Sequence, residues 1–314
     1  MPAVKHHRGV VLGVALGCLL ASATPSAAAS PLAATALAGS VFDRVHMGSA
    51  AASAAPQRGA TYAGSTSADD PIVLHISPGG TRIDRVVMQV EATCAGSQAP
   101  VLFFVDRPAL VSVRRSGRFA GVDASQGALV NGNPVATTLV LRGRVEGRRL
   151  TGSVGFRGEI KDLAGVTVDT CEQSVTFKLR SRRGKVFGGT TSQGGPVVAE
   201  LEDTVAIGDD SISLVADVRH FHVGWRAACS DGDVLQMGDT VIDFRIRAGR
   251  FGDDWSNTYS RPDGSKDILE YSLHGMIERA RLTGTFSVRW THVDAAGVQT
   301  TCETGLLTYT SVSG

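Results

Sequence analysis

Residues 141–152 read LRGRVEGRRLTG, and residues 273–284 read LHGMIERARLTG. In the first stretch apolar and polar residues alternate on both sides of a short turn, which predicts a β-hairpin of residues 137–145 and 150–160 joined across residues 146–149. Other segments recur in the same order. YAGSTSADDPI at 62–72 returns as FGGTTSQGGPV at 187–197, and GRF at 117–119 returns at 249–251. Most of the chain is therefore two copies of one domain.

Four cysteines follow the repeat. Cys94 and Cys171 of the first copy match Cys229 and Cys302 of the second at similar separations. One bridge within each copy, Cys94–Cys171 and Cys229–Cys302, is the simplest pairing for an exported protein. The alternative, zinc binding, would need close Cys-x-x-Cys pairs, and the sequence has none.

The strand pattern predicts the fold class. Val86, Met88, Val90, Ala92 and Cys94 share one parity, so a strand would turn them all to one face. No long helical period with caps occurs. About seven strands are expected in each copy. We predict an all-β protein of two tandem homologous disulfide-stapled β-sandwich-like domains, with small open β-barrels as the alternative.

The amino terminus has the features of a signal peptide over residues 1–29. A basic segment, an apolar segment over residues 10–21 and a run of alanines at 27–29 follow one another. Lipidation of Cys18 is the alternative. Residues 30–60 are rich in Ala, Ser and Pro, which predicts a disordered tether. Copy 1 is then 61–181 and copy 2 is 186–314. No later apolar stretch is long enough for a transmembrane segment, so we expect a secreted or cell-wall-associated protein.

The whole repeat, a Tyr/Phe-x-Gly-x-Thr-Ser motif, a strand ending in Cys, Gly-x-Phe, two Leu-x-Gly motifs and a final Cys, resembles uncharacterised secreted tandem β-domain proteins of high-GC Gram-positive bacteria. The resemblance covers nearly all of Tyr62 to Gly314. It implies export and a β fold, and it carries no active-site residues to transfer.

Charge is distributed unevenly between the copies. Residues 62–185 carry 17 Lys and Arg against 11 Asp and Glu, whereas residues 187–314 carry 10 against 18. One interpretation is that the copies attract each other across the basic segment at 180–185. The other is that copy 1 contacts an anionic envelope polymer. Nucleic acid is not an expected partner, because stacking aromatics do not alternate with the basic residues.

A polar segment of copy 2 offers a candidate ligand surface. Trp255 and Tyr259 stand among Asp253, Asp254 and Asn257, and the copy-1 equivalent of Trp255 is Asp123. Aromatic faces beside carboxylate and amide groups suit a sugar, which presents C–H faces and hydroxyl edges. The alternative is that Trp255 is half-buried under a loop.

Candidate metal ligands and catalytic motifs are weak. His220 and His222 would share a face of a strand, but a third ligand is not positioned and a polar outer face explains them equally. Calcium could bind an acidic loop, although none has the spacing of a known calcium loop; these loops are Asp209–Asp210, Asp231–Asp233, Asp253–Asp254 and Asp263–Asp267. Sequence motifs of hydrolases, P-loops and dinucleotide sites are absent. We therefore expect no catalytic residue and no cofactor other than calcium.

The functional hypothesis is an exported, non-catalytic binding or cell-envelope-associated module that recognises a glycan through copy 2. The alternatives are an extracellular hydrolase with a site assembled from loops, and a purely structural exported protein.

Overall fold

The structure, a computed structural model, describes residues 55–97, 100–109, 111–129, 132–207 and 212–313. The predicted signal peptide and most of the predicted tether lie outside these residues. Within them the chain forms strands and no helix that could cross a membrane. Copy 1 contains β1 (Thr61–Ser65), β2 (Pro71–Ile76), β3 (Arg82–Cys94), β4 (Val101–Arg107), β5 (Val111–Ser112), β6 (Arg118–Ala128), β7 (Pro134–Glu146), β8 (Arg149–Lys161) and β9 (Thr167–Arg180). Copy 2 contains β10 (Val186–Thr191), β11 (Pro196–Ile207), β12 (Ile212–Cys229), β13 (Val234–Arg245), β14 (Arg250–Ser260), β15 (Lys266–Glu278), β16 (Arg281–Val293), β17 (Gln299–Glu303) and β18 (Leu307–Ser313).

Both copies have the same topology. The strands of copy 1 follow the order β4-β3-β2-β1-β9-β8-β7-β6, and those of copy 2 follow β13-β12-β11-β10-β18-β16-β15-β14. Each sheet curls around its own apolar core. In copy 2 the additional pairings of β17 with β12 and β16 close six strands into a barrel. The predicted class, all-β with two similar disulfide-bridged copies, is confirmed.

The bridges lie where each sheet curls back on itself. Cys94 of β3 is directly opposite Cys171 of β9, and Cys229 of β12 is directly opposite Cys302 of β17. The bonds join these same pairs, one within each copy. Each disulfide therefore fixes an early strand of its copy to a late one.

The hairpin of residues 137–160 forms as predicted, with β7 and β8 paired from Val135–Ile160 to Glu146–Arg149. A two-residue turn of Gly147 and Arg148 joins the strands, and Gly147 has a φ of 58°, which glycine adopts without strain. Within the residues that the structure describes, each copy has nine strands rather than about seven, because short strands such as β5 carry too few residues to show a period. The last long strand of copy 1, β9, corresponds to two strands of copy 2, β17 and β18.

One row of residues explains the repeated Gly-x-Phe and Leu-x-Gly motifs. Across four adjacent strands of copy 1, Phe119, Gly143, Gly152 and Phe177 are directly opposite one another in turn. A Cβ at Gly143 would lie 2.6 Å from Phe119 Cζ, and a Cβ at Gly152 would lie 2.7 Å from Phe177 Cζ. The two aromatic rings thus occupy the space above the two glycines. The equivalent row of copy 2 is Phe251, Gly275, Gly284 and Tyr309.

Replacing one glycine of this row should destabilise the fold. We expect Gly152→Ala to lower the free energy of unfolding by about 2–3 kcal/mol, because its Cβ would lie 2.2 Å from the Arg142 carbonyl oxygen as well as against Phe177. Gly155→Ala on the same strand is the matched control, since its nearest neighbour would be at an ordinary 3.6 Å. Chemical denaturation measures both variants, and equal losses of stability would contradict the packing explanation.

The outer faces of the two sheets pack against each other. Ala63, Val73 and Val87 of copy 1 form a buried apolar cluster with Val186 and Val198 of copy 2. A Cβ at Gly188 would lie 2.6 Å from Val73 Cγ1. The copies therefore meet through apolar side chains of β1–β3 and β10–β11, on the faces that point away from the two cores.

The contact is reciprocal. Gln89 and Gly224 are equivalent, because they lie at the same distance before the cysteine of their strand. Phe104 and Gly238 are equivalent, because they are directly opposite Gln89 and Gly224 on the next strand. A Cβ at Gly224 would lie 3.0 Å from the Phe104 ring, and one at Gly238 would lie 2.2 Å from Gln89 Oε1. Each contact thus repeats with the roles of the copies exchanged, as an approximate two-fold axis requires. Copy 1 supplies the two large side chains and copy 2 supplies the two glycines that accommodate them.

The predicted tether ends earlier than residue 60. Ala60 is buried in the core of copy 1, and the Gly59 amide donates to the Ser77 carbonyl oxygen. The Gln57 side chain lies 3.4 Å from the Ser181 hydroxyl. Composition alone missed this attachment because small residues such as Ala60 fill a core as well as a loop.

An apolar contact between the copies predicts little response to salt. We expect the radius of gyration to be the same in 50 mM and 1 M salt, whereas an interface held by the opposite net charges would loosen as screening increases. Val198→Asp should increase the radius, because it places a charge in the apolar contact. Val122→Asp is the control, since Val122 is 68% exposed. Small-angle scattering measures the radius of gyration of the unaltered protein at both salt concentrations and of the two variants. Expansion of the unaltered protein in high salt would contradict the apolar contact.

Candidate functional site

The structure divides the candidate ligand surface of copy 2 between two faces. Along β14, the buried Phe251 marks the inner parity, and Trp255 and Tyr259 share it with Asp253 and Asn257. Asp254 is exposed on the opposite face, where its Oδ1 lies 3.3 Å from His274 Nε2. The segment therefore presents four of the five residues together.

Trp255 packs against the core of copy 2. Its ring stacks on Tyr271 with a centroid distance of 4.9 Å and an angle of 11°, and the Phe244 ring is 6.0 Å away. Tyr259, at the end of the same strand, is 37% exposed. In copy 1 the equivalent of Trp255 is Asp123, whose Oδ2 forms an ion pair of 2.7 Å with Arg107 Nε. An ion pair thus occupies this position in copy 1, and packed aromatic rings occupy it in copy 2.

A buried polar group lies beneath Trp255. Trp225 Nε1 donates a 2.6 Å hydrogen bond to Asp239 Oδ2. The Tyr271 hydroxyl also interacts with this carboxyl group, but the two groups do not have the geometry of a hydrogen bond. Burial raises the pKa of Asp239 to about 6. The equivalent residues of copy 1 are the apolar Val90, Val105 and Leu139, so the polar group belongs to copy 2 alone.

Of the two histidines, His222 lies close enough to Asp69 of copy 1 to interact with it. Burial, with a smaller effect of His220, lowers the pKa of His222 to about 4. His222 Nδ1 is 2.7 Å from the Thr240 hydroxyl. At neutral pH this imidazole is therefore uncharged.

The described acidic loops use several of their carboxylates to build turns. Asp231 accepts from the Asp233 amide, and Asp263 accepts from the amide and hydroxyl of Ser265. Asp267 pairs with Arg261 and His292. Asp209 and Asp210 lie outside the described residues.

A cleft of about 950 Å³ lies where the copies meet, and both copies line it. Arg226 and Phe104 both line it, and the Arg226 guanidinium lies 5.1 Å from the centroid of the Phe104 ring. Arg226 Nε donates to Gln236 Oε1 at 2.8 Å, and Gln236 Nε2 donates to the Leu102 carbonyl oxygen of the other copy at 2.7 Å. These contacts hold the two edges of the cleft at a defined distance.

The copy-1 wall of the cleft is acidic. Asp69 and Glu91 are exposed, and Asp70 is buried between them with its Oδ1 accepting from Gln89 Nε2 at 3.1 Å. Burial raises the pKa of Asp70 to about 6. Gln89 is itself 8% exposed, and its Oε1 has no hydrogen-bond partner.

The copy-2 wall combines a carboxylate with apolar surface. Asp233 is exposed, and Met237, Leu269 and Trp290 also line this wall. The Trp290 ring packs against the core of copy 2, stacks on His292 at a centroid distance of 5.8 Å and remains partly accessible. The cleft therefore offers hydrogen-bond acceptors on both sides together with the partly accessible Trp290 ring.

The sequence patterns did not indicate this cleft, because its residues come from both copies and from strands far apart in the sequence, so they form no motif. One signal was present in the repeat itself. The exchange of Gln89 and Phe104 for Gly224 and Gly238 marks positions where the side chains of the two copies differ strongly in size.

Comparisons with protein-family models, with curated proteins and with solved structures find no match for this chain.

The buried carboxyl of copy 2 predicts a dependence of stability on pH. Folding raises the pKa of Asp239 from 3.8 to about 6, so the folded state holds a proton that the unfolded chain has lost. Stability should therefore fall as pH rises from about 4 to about 6, by about 3 kcal/mol from this group. Asp239→Asn keeps an acceptor for Trp225 without a charge, so we expect it to be more stable than the unaltered protein at pH 8.

Denaturation at pH 4 and pH 8 measures this effect. Asp70 shifts in the same direction, so the informative quantity is the difference between the variant and the unaltered protein. Asp233→Asn, at an exposed carboxyl, is the control. An Asp239→Asn variant that loses stability at pH 8 would show that the ionised carboxylate is itself stabilising.

Proposed function

We propose that this protein is exported and binds a glycan, without catalysing a reaction on it, in the cleft between the copies. The observation that carries the proposal is that both copies line one cleft of about 950 Å³ with acceptors and an aromatic face. That volume lies within the usual range of ligand sites. Carboxylate and amide oxygens accept hydrogen bonds from sugar hydroxyls, and the partly accessible face of Trp290 suits the C–H face of a pyranose.

The charge of the cleft favours a neutral or cationic glycan. Asp69, Glu91 and Asp233 are exposed carboxylates on its two walls, and Arg226, which also lines the cleft, contacts Phe104 and Gln236. A polyanion would meet like charge on both sides. Neutral polysaccharides and amino sugars carry no such penalty.

The chemistry of the cleft favours binding over catalysis. Thr240 lines the cleft and its hydroxyl contacts His222, a hydroxyl–imidazole pair that could in principle act as nucleophile and base. However, a base works best when its pKa is near the working pH. With a pKa of about 4, His222 is a weak base at neutral pH.

Export is supported by the signal-peptide pattern over residues 1–29 and by the two disulfides, which persist in oxidising compartments. The resemblance of the repeat to secreted proteins of high-GC Gram-positive bacteria agrees with this. The natural ligand would then be a cell-envelope or environmental polysaccharide.

Calorimetry with the mature protein tests the proposal. The probes are cellohexaose (neutral), a glucosamine hexamer (cationic) and polygalacturonate (anionic). We expect one of the first two to bind and polygalacturonate not to bind. Trp290→Ala should weaken binding by at least tenfold, as loss of a central aromatic side chain does, and Asp233→Ala should weaken it without affecting stability.

Trp255→Ala is the matched control, a tryptophan of the same sheet that lies outside the cleft. Loss of binding in Trp255→Ala alone would move the site to the surface around Trp255 and Tyr259. Release of shorter sugars would favour the hydrolase alternative. Binding of polygalacturonate alone would contradict the charge argument. Absence of binding to every probe at millimolar concentration would contradict the proposal and favour a purely structural role.

A further inference from the structure

The outer face of copy 1 carries a concentrated positive charge, on the opposite side of the sheet from the core. Six cationic side chains of β6, β7, β8 and β9 point to this face, and we call them the basic face: Arg118, Arg142, Arg144, Arg149, Lys178 and Arg180. Five of the six residues are exposed, and the side chain of Arg144 is 42% exposed. The contact with copy 2 uses β1–β3 and leaves this face accessible.

The strand register places like charges directly opposite each other. Arg118 is opposite Arg144, and Arg149 is opposite Arg180. Directly opposite side chains in antiparallel strands lie about 5 Å apart, and like charges there destabilise the sheet. One carboxylate of this region, Glu146, is directly opposite Arg149 and pairs with Arg144 at 2.9 Å. The face therefore carries an excess of positive charge that bound anions would neutralise.

The fold does not require these cations. The equivalent residues of copy 2, in the same order, are Arg250, His274, Met276, Arg281, Thr310 and Val312. Only two arginines remain, although β14–β18 pair in the same way. The basic face is a property of copy 1, and it accounts for 4 of the 14 units by which the net charges of the copies differ.

We infer that the basic face binds a linear polyanion with repeating phosphate groups, such as a phosphodiester-linked envelope polymer. Five of its six cations are arginines, whose planar guanidinium binds phosphate oxygens in pairs. The cations extend across four strands, about 14 Å at the usual strand spacing, so successive phosphates of one chain can be bound. This site is separate from the cleft and has the opposite charge.

The residues between the cations favour a polymer over other polyanionic partners. They are small or hydroxylated: Ala120, Thr151, Ser153 and Thr176. Nucleic-acid surfaces use aromatic side chains on which bases stack, and membrane-binding surfaces insert apolar side chains between the cations. Neither kind of side chain stands among these positions.

Binding of poly(glycerol phosphate) to the mature protein tests the inference. We expect binding in 50 mM salt that weakens as salt increases, because each bound phosphate releases counterions. The variant R118Q/R144Q/R149Q/R180Q should bind at least tenfold more weakly. The slope of log affinity against log salt should also fall by about 3, at about 0.7 for each phosphate that the variant no longer neutralises. Cellohexaose or glucosamine-hexamer binding in the cleft should be unchanged, so this test is independent of the proposed function.

The matched control is R219Q/R245Q/R250Q/R281Q, which removes four exposed arginines from copy 2 and should leave the affinity unchanged. Equal weakening in both variants would show an effect of net charge alone and would overturn the assignment. Absence of binding in 50 mM salt would also overturn it. Tighter binding to phosphatidylglycerol vesicles than to the polymer would assign the face to a membrane instead.

Discussion

The packing of aromatic rings over paired glycines is the constraint on which both sheets depend. Phe119 and Phe177 cover Gly143 and Gly152 in copy 1, and the equivalent row recurs in copy 2. Glycine weakens a strand when nothing covers it, because it has no side chain to pack. Here its absence of a Cβ lets a ring from a neighbouring strand pack against the backbone, which favours one register across four strands. In copy 1 the disulfide then joins β9, a strand of this row, to β3.

Much of the fold could be predicted from the sequence because the chain contains two copies of the same domain. A motif that recurs with the same spacing within one chain identifies a structural requirement, and the four cysteines could be paired from their equivalent positions. The hairpin of β7 and β8 followed from alternation and one turn. These features are local, or they repeat, and either property makes a pattern visible in a single sequence.

The candidate site was less accessible because it depends on how the copies meet. Alternation along a strand separates two faces, but it does not reveal that Val73 and Val198 on the outer faces are also buried. Trp255 illustrates the same difficulty. The sequence left open whether this side chain is exposed or half-buried, and only its neighbours across the sheet, Tyr271 and Phe244, show that its ring is packed. The cleft and the basic face both arise from positions at which the two copies differ, so comparing the copies is more informative than either copy alone.

The unequal sizes at the reciprocal contact have a consequence for how such a chain can be assembled. Two copies like the first would bring Phe104 against a second Gln89 on each side of the axis, and the side chains would collide. Two copies like the second would bring glycine against glycine and leave a gap at both points. Only unlike copies fit, so covalent linkage in one chain guarantees that every molecule contains one of each. At this contact neither half can therefore take the place of the other, although both fold on the same plan.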